Sequence, residues 1–309
     1  MYDIINLADY IQSRPEALGT KEKFWVVPRP GASLRETPHL FKIGRENTGE
    51  NWSEKASCEI AKTIHLPCAD YDLAIYEGRR GVLTERFFSS SGTWIPGNYI
   101  LSQILDNYDN TKTYNQLNYK LSTVMQVIKN LDLRPPVMIN NCAYGMEGVD
   151  YFIGYLVFDC LIGNTDRHHE NWGIILNRIG DRHDLHLAPT FDHASCLGRN
   201  ETDTKRLLRL QTTDRRATVE AYAGRTKTAF YGPLPEGGVL KTRELMAELS
   251  AAFPDATKLW SDRIASLTDG QFHDIFARMP ADWVSQQAVE FAVRMLRFNR
   301  QMIQEVGCA

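Results

Sequence analysis

The sequence predicts an α+β fold of two lobes, a β-rich lobe over residues 1–90 and an α-helical lobe over residues 91–309, with a cleft between them. Three observations predict it. Short runs of alternating or β-branched apolar residues dominate before residue 90, with a single helical pattern among them. From about residue 98 the apolar residues recur at helical spacing, and DYFIGYLVFDCLIG (150–163) is apolar almost all round, as a helix at the centre of a lobe would be. The chain of 309 residues, 43% of them hydrophobic, is long enough to build a real core in each part.

In chain order, KFWVV (23–27) is a β-rich run and PRPGASLRETP (28–38) a turn-rich connection. HLFKIG (39–44) is a second strand, with Leu40 and Lys42 on one face and Phe41 and Ile43 on the other. After a polar loop, Ser53 reads as the N-cap of SEKASCEIAKTIH, whose Ala56, Ile60, Ala61 and Ile64 form an apolar stripe. DYDLAIYEG (70–78) and RGVLTERFF (80–88) read as two strands joined by a turn at Gly78 to Gly81, followed by a connector near 87–98. YILSQILDNY (99–108) and YNQLNYKLSTVMQVIKNL (114–131) read as amphipathic helices. WGIIL and DLHLAP read as two short strands around the turn NRIGDRH, and ELMAELSAAF, ATKLWSDRIASL and VSQQAVEFAVRMLRFNRQMIQEV as helices.

Between the apolar segment 150–163 and WGIIL stands DRHHEN (166–171), which alone would read as a solvated loop. Asp166 and Asn171 have the spacing D-x-x-x-x-N of a kinase catalytic loop, in which the Asp takes the hydroxyl proton and the Asn ligates magnesium. Phosphoryl transfer needs such an acceptor and a neutral oxygen ligand for a hard cation close to it. Asp192, after the strand-like DLHLAP, supplies a carboxylate for the metal that bridges the phosphates. Lys42, in mid-strand, can reach α- and β-phosphates, although by itself it could equally snorkel from an edge strand. Glu54 on the next helix can pair with that lysine, and Glu59 on the same helix competes for it. Four elements in this order predict a protein-kinase-like fold that holds ATP and Mg2+ in its cleft.

The chain resembles the HipA-like serine/threonine kinases, which are distantly similar to phosphatidylinositol kinases. GTKEK (19–23) is similar to that family's glycine-containing GxQEK loop and HLFKIG to its lysine strand. SEKASCEIAKTIHLP resembles its NE…LAK…GLP helix, LTERF (83–87) its VERF hinge, IGNTDRHHENWGIIL its IGxxDxHxKNxS loop and LAPTFDHAS its LxPxYDxxS segment. The resemblance implies that Asp166 is catalytic, that Asn171 and Asp192 ligate metal, that Gly19, Lys21 and Lys42 belong to the nucleotide site with Glu54 holding the lysine, and that Glu85 and Phe87 offer main-chain groups to adenine. It implies a protein substrate, such as a translation factor, a toxin role, and a small antitoxin-like partner standing in for the family's N-terminal subdomain, which is expected to be missing here. Three positions depart from the pattern. Lys21 stands where the family has Gln, Glu170 where it has Lys, and Glu16, near Ser13, where it has an inhibitory autophosphorylated Ser.

The alternatives are a small-molecule or lipid kinase, since DRHxxN also resembles the phosphatidylinositol kinases, and a nucleotide-binding pseudokinase. His168 and His169, with His183, His186 and His193 nearby, have no spacing that closes a tetrahedral zinc site. The six scattered cysteines read as reduced thiols of a cytoplasmic protein. The N-terminus lacks a signal-peptide pattern, no apolar run reaches the roughly 18 residues of a membrane span, and a net charge of −3 does not indicate nucleic acid. The basic cluster Arg199, Lys205, Arg206, Arg209, Arg215 and Arg216 reads as a solvated face or as a recognition surface for an acidic or RNA-bound substrate.

Overall fold

The computed structural model describes residues 1–16, 22–29, 37–137, 145–179, 182–232 and 238–307. Its N-terminal part is a six-stranded sheet of β1 (Ile4–Asn6), β2 (Tyr10–Pro15), β3 (Lys23–Pro28), β4 (His39–Ile43), β5 (Asp72–Tyr76) and β6 (Arg79–Glu85), in the spatial order β1-β5-β6-β4-β3-β2. All pairings are antiparallel except β1 with β5. Register gives each face its role. Phe24 pairs with Phe41 and Phe41 with Leu83, so these side chains stack on one face with Leu7, Tyr10, Val26 and Ala74. Lys42 pairs with Val82 and Val82 with Leu73 on the opposite face, toward α1 (Glu50–Thr63). β4 lies inside the sheet and Lys42 is buried, so the edge-strand reading of this lysine does not hold.

Three local expectations are corrected here. The helix α1 begins at Glu50, not after Ser53, because the Glu50 carboxylate accepts from the Arg45 main-chain N–H and folds GENW into the first turn. Ser53 is inside the helix, where its buried hydroxyl donates to the Glu50 and Ala194 carbonyls. The β5–β6 turn is the pair Glu77 and Gly78, both at positive φ, whereas Gly81 belongs to the strand. A Cβ at Gly81 would sit 2.3 Å from the Lys42 carbonyl oxygen, which is why only glycine fits there.

The rest of the chain starts with β7 (Gly92–Pro96), α2 (Gly97–Ile104), α3 (Leu121–Asn130) and α4 (Gly148–Ile162). It continues with β8 (Gly173–Ile179), β9 (Arg182–Leu187), α5 (Asp203–Gln211) and α6 (Val219–Ala223). It ends with β10 (Lys227–Tyr231), β11 (Val239–Lys241), α7 (Thr242–Ala252), α8 (Pro254–Ala265), α9 (Asp269–Ala277) and α10 (Gln286–Gly307). The connector contains β7, which completes a β7-β8-β9 sheet in place of the expected hairpin. Residues 105–120 are not helical, against the expectation for YNQLNYKLSTVMQVIKNL and for the end of YILSQILDNY. The stretch is rich in Asn, Asp and Thr, and Asn107 and Asn115 take positive φ, so turn chemistry defeats an apolar spacing that is merely compatible with a helix.

The helix α4 is buried nearly throughout and forms the centre of the helical part. Trp260 of α8 lies against Gly154, where a Cβ would be 2.4 Å from the indole, and donates to the Asp150 carbonyl at 2.9 Å. Asn299 of α10 donates to the Leu161 carbonyl at 2.9 Å. The helix stops at Gly163 in the left-handed conformation, which turns the chain out of the core and into the loop holding Asp166. Cys58, Cys68, Cys160 and Cys196 are free, buried thiols. Among the described residues no helix is long and apolar enough to cross a membrane.

Candidate functional site

The 163–172 loop is held from below by one buried ion pair. Asp159, on the last turn of α4, accepts from Arg167 Nε at 2.7 Å, Arg167 Nη2 at 2.8 Å and Asn164 Nδ2 at 2.8 Å. The same guanidinium donates through Nη1 to the carbonyls of Asn171, at 2.7 Å, and Phe191, at 3.1 Å. Asn164 in turn accepts from the Asp166 N–H. A single cation therefore sets the path of the Asp166–Asn171 loop and of the segment that leads into Asp192. Sequence reasoning passed over both members of the pair. The available signal was Asp159 itself, a carboxylate inside the apolar run 151–162, which a buried position tolerates only with a partner.

Above this base, Asp166 turns its carboxylate to the cleft. Its Oδ1 accepts from the Tyr114 hydroxyl at 3.1 Å and its Oδ2 from the Ser195 hydroxyl at 3.2 Å. Asn171 Nδ2 donates to the Asp166 main-chain carbonyl at 2.6 Å, which commits the amide nitrogen and leaves the amide oxygen as the ligating branch. His168 accepts from the Glu170 N–H at 3.2 Å. His169 is buried between the rings of Tyr108 and Tyr119, with the Tyr108 hydroxyl 2.7 Å from Nδ1.

Burial and the neighbouring His168 push the His169 imidazole down to about 4, and burial moves His193 in the same direction. The unfolded chain, with histidines near about 6.5, therefore takes up protons first as pH falls. Stability is expected to drop between about pH 6.5 and pH 4, by about 3 kcal/mol from His169 alone. In urea titrations across that range, His169→Gln should flatten the pH dependence by about one proton. An unchanged slope would contradict a neutral, buried His169.

On the other side of the cleft, Lys42 Nζ lies 3.3 Å from Asp192 Oδ1, 4.0 Å from Glu54 Oε2 and 3.2 Å from the Tyr71 hydroxyl. Burial pulls the ammonium down, but Asp192, Tyr71 and Glu54 outweigh it and hold the group above the ordinary lysine value. Glu54 Oε1 accepts from the His193 N–H at 2.6 Å, and the Tyr71 hydroxyl accepts from the Asp192 N–H at 3.3 Å. Asp192 itself sits at φ +58°. Glu59 is turned away, to Lys55 and Lys62. Oxygen ligands from Asn171 and Asp192 suit a hard divalent cation.

Lys42, Tyr71, Asp166, Asn171 and Asp192 line one cavity of about 500 Å3, within the usual size for a small-molecule site. Its apolar end is formed by Leu40, Phe87, Trp94 and Phe191, with the rings of Phe87 and Phe191 stacked at 5.8 Å. Glu85 lines the same end and accepts from Thr37 Oγ1 at 2.8 Å. Gly19 and Lys21 lie outside the described residues. Three members of the basic cluster serve the fold. Arg199 bonds Glu50 and Ser195, Arg206 bonds Asp203 and the Gly198 carbonyl, and Arg209 bonds Glu201.

Comparison with known proteins gives a consistent picture. The sequence profile of the HipA-like C-terminal domain matches residues 16–257. The serine/threonine-protein kinase CtkA of Helicobacter pylori is 25% identical over 146 residues, which cover 47% of this chain and 40% of that protein. The chain thus matches well under half the length of this curated relative. The crystal structure of the H. pylori proinflammatory kinase CtkA superposes with a TM-score of 0.75 at 18% identity, over 99% of this chain and 97% of that one. A chain of the Shewanella oneidensis MR-1 complex of HipA, HipB and operator DNA superposes with a TM-score of 0.52 at 12% identity, over 98% and 69%. Both likenesses show the fold, a β-sheet N-terminal part joined to a helical C-terminal part.

Proposed function

From the premise that this chain belongs to the HipA-like C-terminal domain family, we propose that it is an ATP- and Mg2+-dependent protein serine/threonine kinase. The observation that carries the proposal is the convergence of Lys42, Asp166, Asn171 and Asp192 on one cavity with an apolar end, with Glu54 buried behind the lysine. Adenine would lie against Leu40, Phe87 and Phe191, beside the main chain of Glu85 and Phe87. Lys42, kept charged by its carboxylates, would neutralise the α- and β-phosphates. Asn171 and Asp192 would hold the cation, which when bound spreads the negative charge that develops on the transferred group. Asp166 would accept or steer the proton of the attacking hydroxyl. Preorganised charge and position supply most of the acceleration in such reactions.

The name of the H. pylori relative supports a protein substrate. The HipA–HipB–DNA complex, a toxin–antitoxin system, supports a small partner protein and a toxin role for this chain. Cell lysate incubated with labelled ATP and the protein tests the reading. Label on Ser or Thr of proteins, missing with Asp166→Ala, is the expected result. Label in the lipid fraction would make the chain a lipid kinase, and ATP binding without turnover would make it a pseudokinase.

A further inference from the structure

The two oxygens of Asp166 are not equivalent. The donor to Oδ2 is fixed. Ser195 is buried, its oxygen accepts from Arg199 Nη2 at 2.9 Å, and Arg199 bonds the buried Glu50 at the start of α1. The donor to Oδ1 is of another kind. Tyr114 belongs to the non-helical stretch between α2 and α3, and it is 58% exposed. Its ring meets His168 edge-on at 5.6 Å, and its neighbour Thr113 donates to Glu170 Oε1 at 3.2 Å. Residues 113 and 114 are thus latched to the 166–171 loop by one hydroxyl each. Glu170, the acceptor for Thr113, stands where the resembling motif has a lysine.

Resting on the kinase reading above, we propose that Tyr114 is an acceptor gate: its hydroxyl holds the seat on Asp166 Oδ1 that the substrate hydroxyl takes, and substrate enters by displacing it. A base must come within about 2.6–3.2 Å of the hydroxyl it serves, and Tyr114 already satisfies that distance. At Oδ2 a substrate hydroxyl would have to share the oxygen with Ser195, whose own oxygen is anchored by Arg199 and through it by Glu50, whereas the donor at Oδ1 has no such anchor. Burial, then the charge of Asp166, push the Tyr114 phenol up to about 12, so it remains a neutral donor at working pH and cannot act as the base itself. An exposed tyrosine with one hydrogen bond and one edge contact is inexpensive to move, and Thr113–Glu170 sets the strength of the latch.

Tyr114→Phe keeps the ring against His168 and removes only the hydroxyl. With the 309-residue chain and MgATP, two rates are measured: hydrolysis, with water as acceptor, and labelling of casein as a probe protein. The gate predicts that Tyr114→Phe raises hydrolysis about two- to tenfold, the worth of one net hydrogen bond, and that the KM for casein falls by a similar factor. Thr113→Val, which loosens the latch and leaves Tyr114 in place, should act in the same direction and to a smaller extent. Hydrolysis at or below the wild-type rate in both variants, with casein turnover lowered in kcat, would overturn the gate and make Tyr114 a positioning residue. Wild type and Asp166→Asn equally devoid of hydrolysis and labelling would overturn the kinase reading and the gate with it.

Discussion

Asp192→Asn is expected to slow phosphoryl transfer from ATP by about a thousandfold or more. The substitution conserves shape and removes one charge from a site built on charge. Asp192 lies 3.3 Å from Lys42 on one side and is the carboxylate that would ligate the cation on the other. An amide there keeps an oxygen but loses most of its attraction for a divalent ion. Lys42 would then turn to Glu54, now 4.0 Å away, and its reach to the phosphates would change as well. Initial rates over a Mg2+ titration check this. The variant should need far more metal and should remain slow at saturation, while its circular dichroism stays that of the wild type. Near-normal rates at ordinary Mg2+ would remove Asp192 from the metal site.

Arg167→Ala is expected to destabilise the fold by about 3–5 kcal/mol. The pair it breaks is buried on both sides, with Arg167 at 2% and Asp159 at 3% exposure. Removing the guanidinium leaves the Asp159 carboxylate with Asn164 as its remaining side-chain donor among the described residues. It also takes a donor from the carbonyls of Asn171 and Phe191. Arg167→Lys should recover only part of the loss, since an ammonium cannot reproduce the planar fork. Urea denaturation midpoints for the three proteins decide it. A shift worth less than about 1 kcal/mol for Arg167→Ala would mean that the loop does not rest on this pair.

How much of this was legible follows from which signals are local. Lys42 on the opposite face from Phe41 is period-two alternation, and the register with β3 and β6 realises it directly. The fully apolar α4 announced a central helix, and the polar loop after it announced the place of the site. The sequence was silent where pairing alone decides. β2 shows one buried residue followed by exposed ones, and only its ladder with β3 makes it a strand. β7 is short and depends on β8, far along the chain, and β10 and β11 are short and pair with each other. The hydroxyls on Asp166 come from 52 residues upstream and 29 downstream, so no spacing rule links them. Ser53 failed as a cap because serine before a helical stripe fits both an N-cap and a buried position that bonds its own helix backbone.

The central claim is that Asp166 receives the acceptor proton in a Mg2+-dependent transfer of the γ-phosphate. The most direct measurement is the initial rate of γ-phosphate loss from labelled MgATP by the purified 309-residue chain, compared with Asp166→Asn at matched thermal stability and matched nucleotide affinity. The account predicts metal-dependent turnover in the wild type and a loss of about a thousandfold in the variant, with ATP still bound. Equal rates in the two proteins would contradict it.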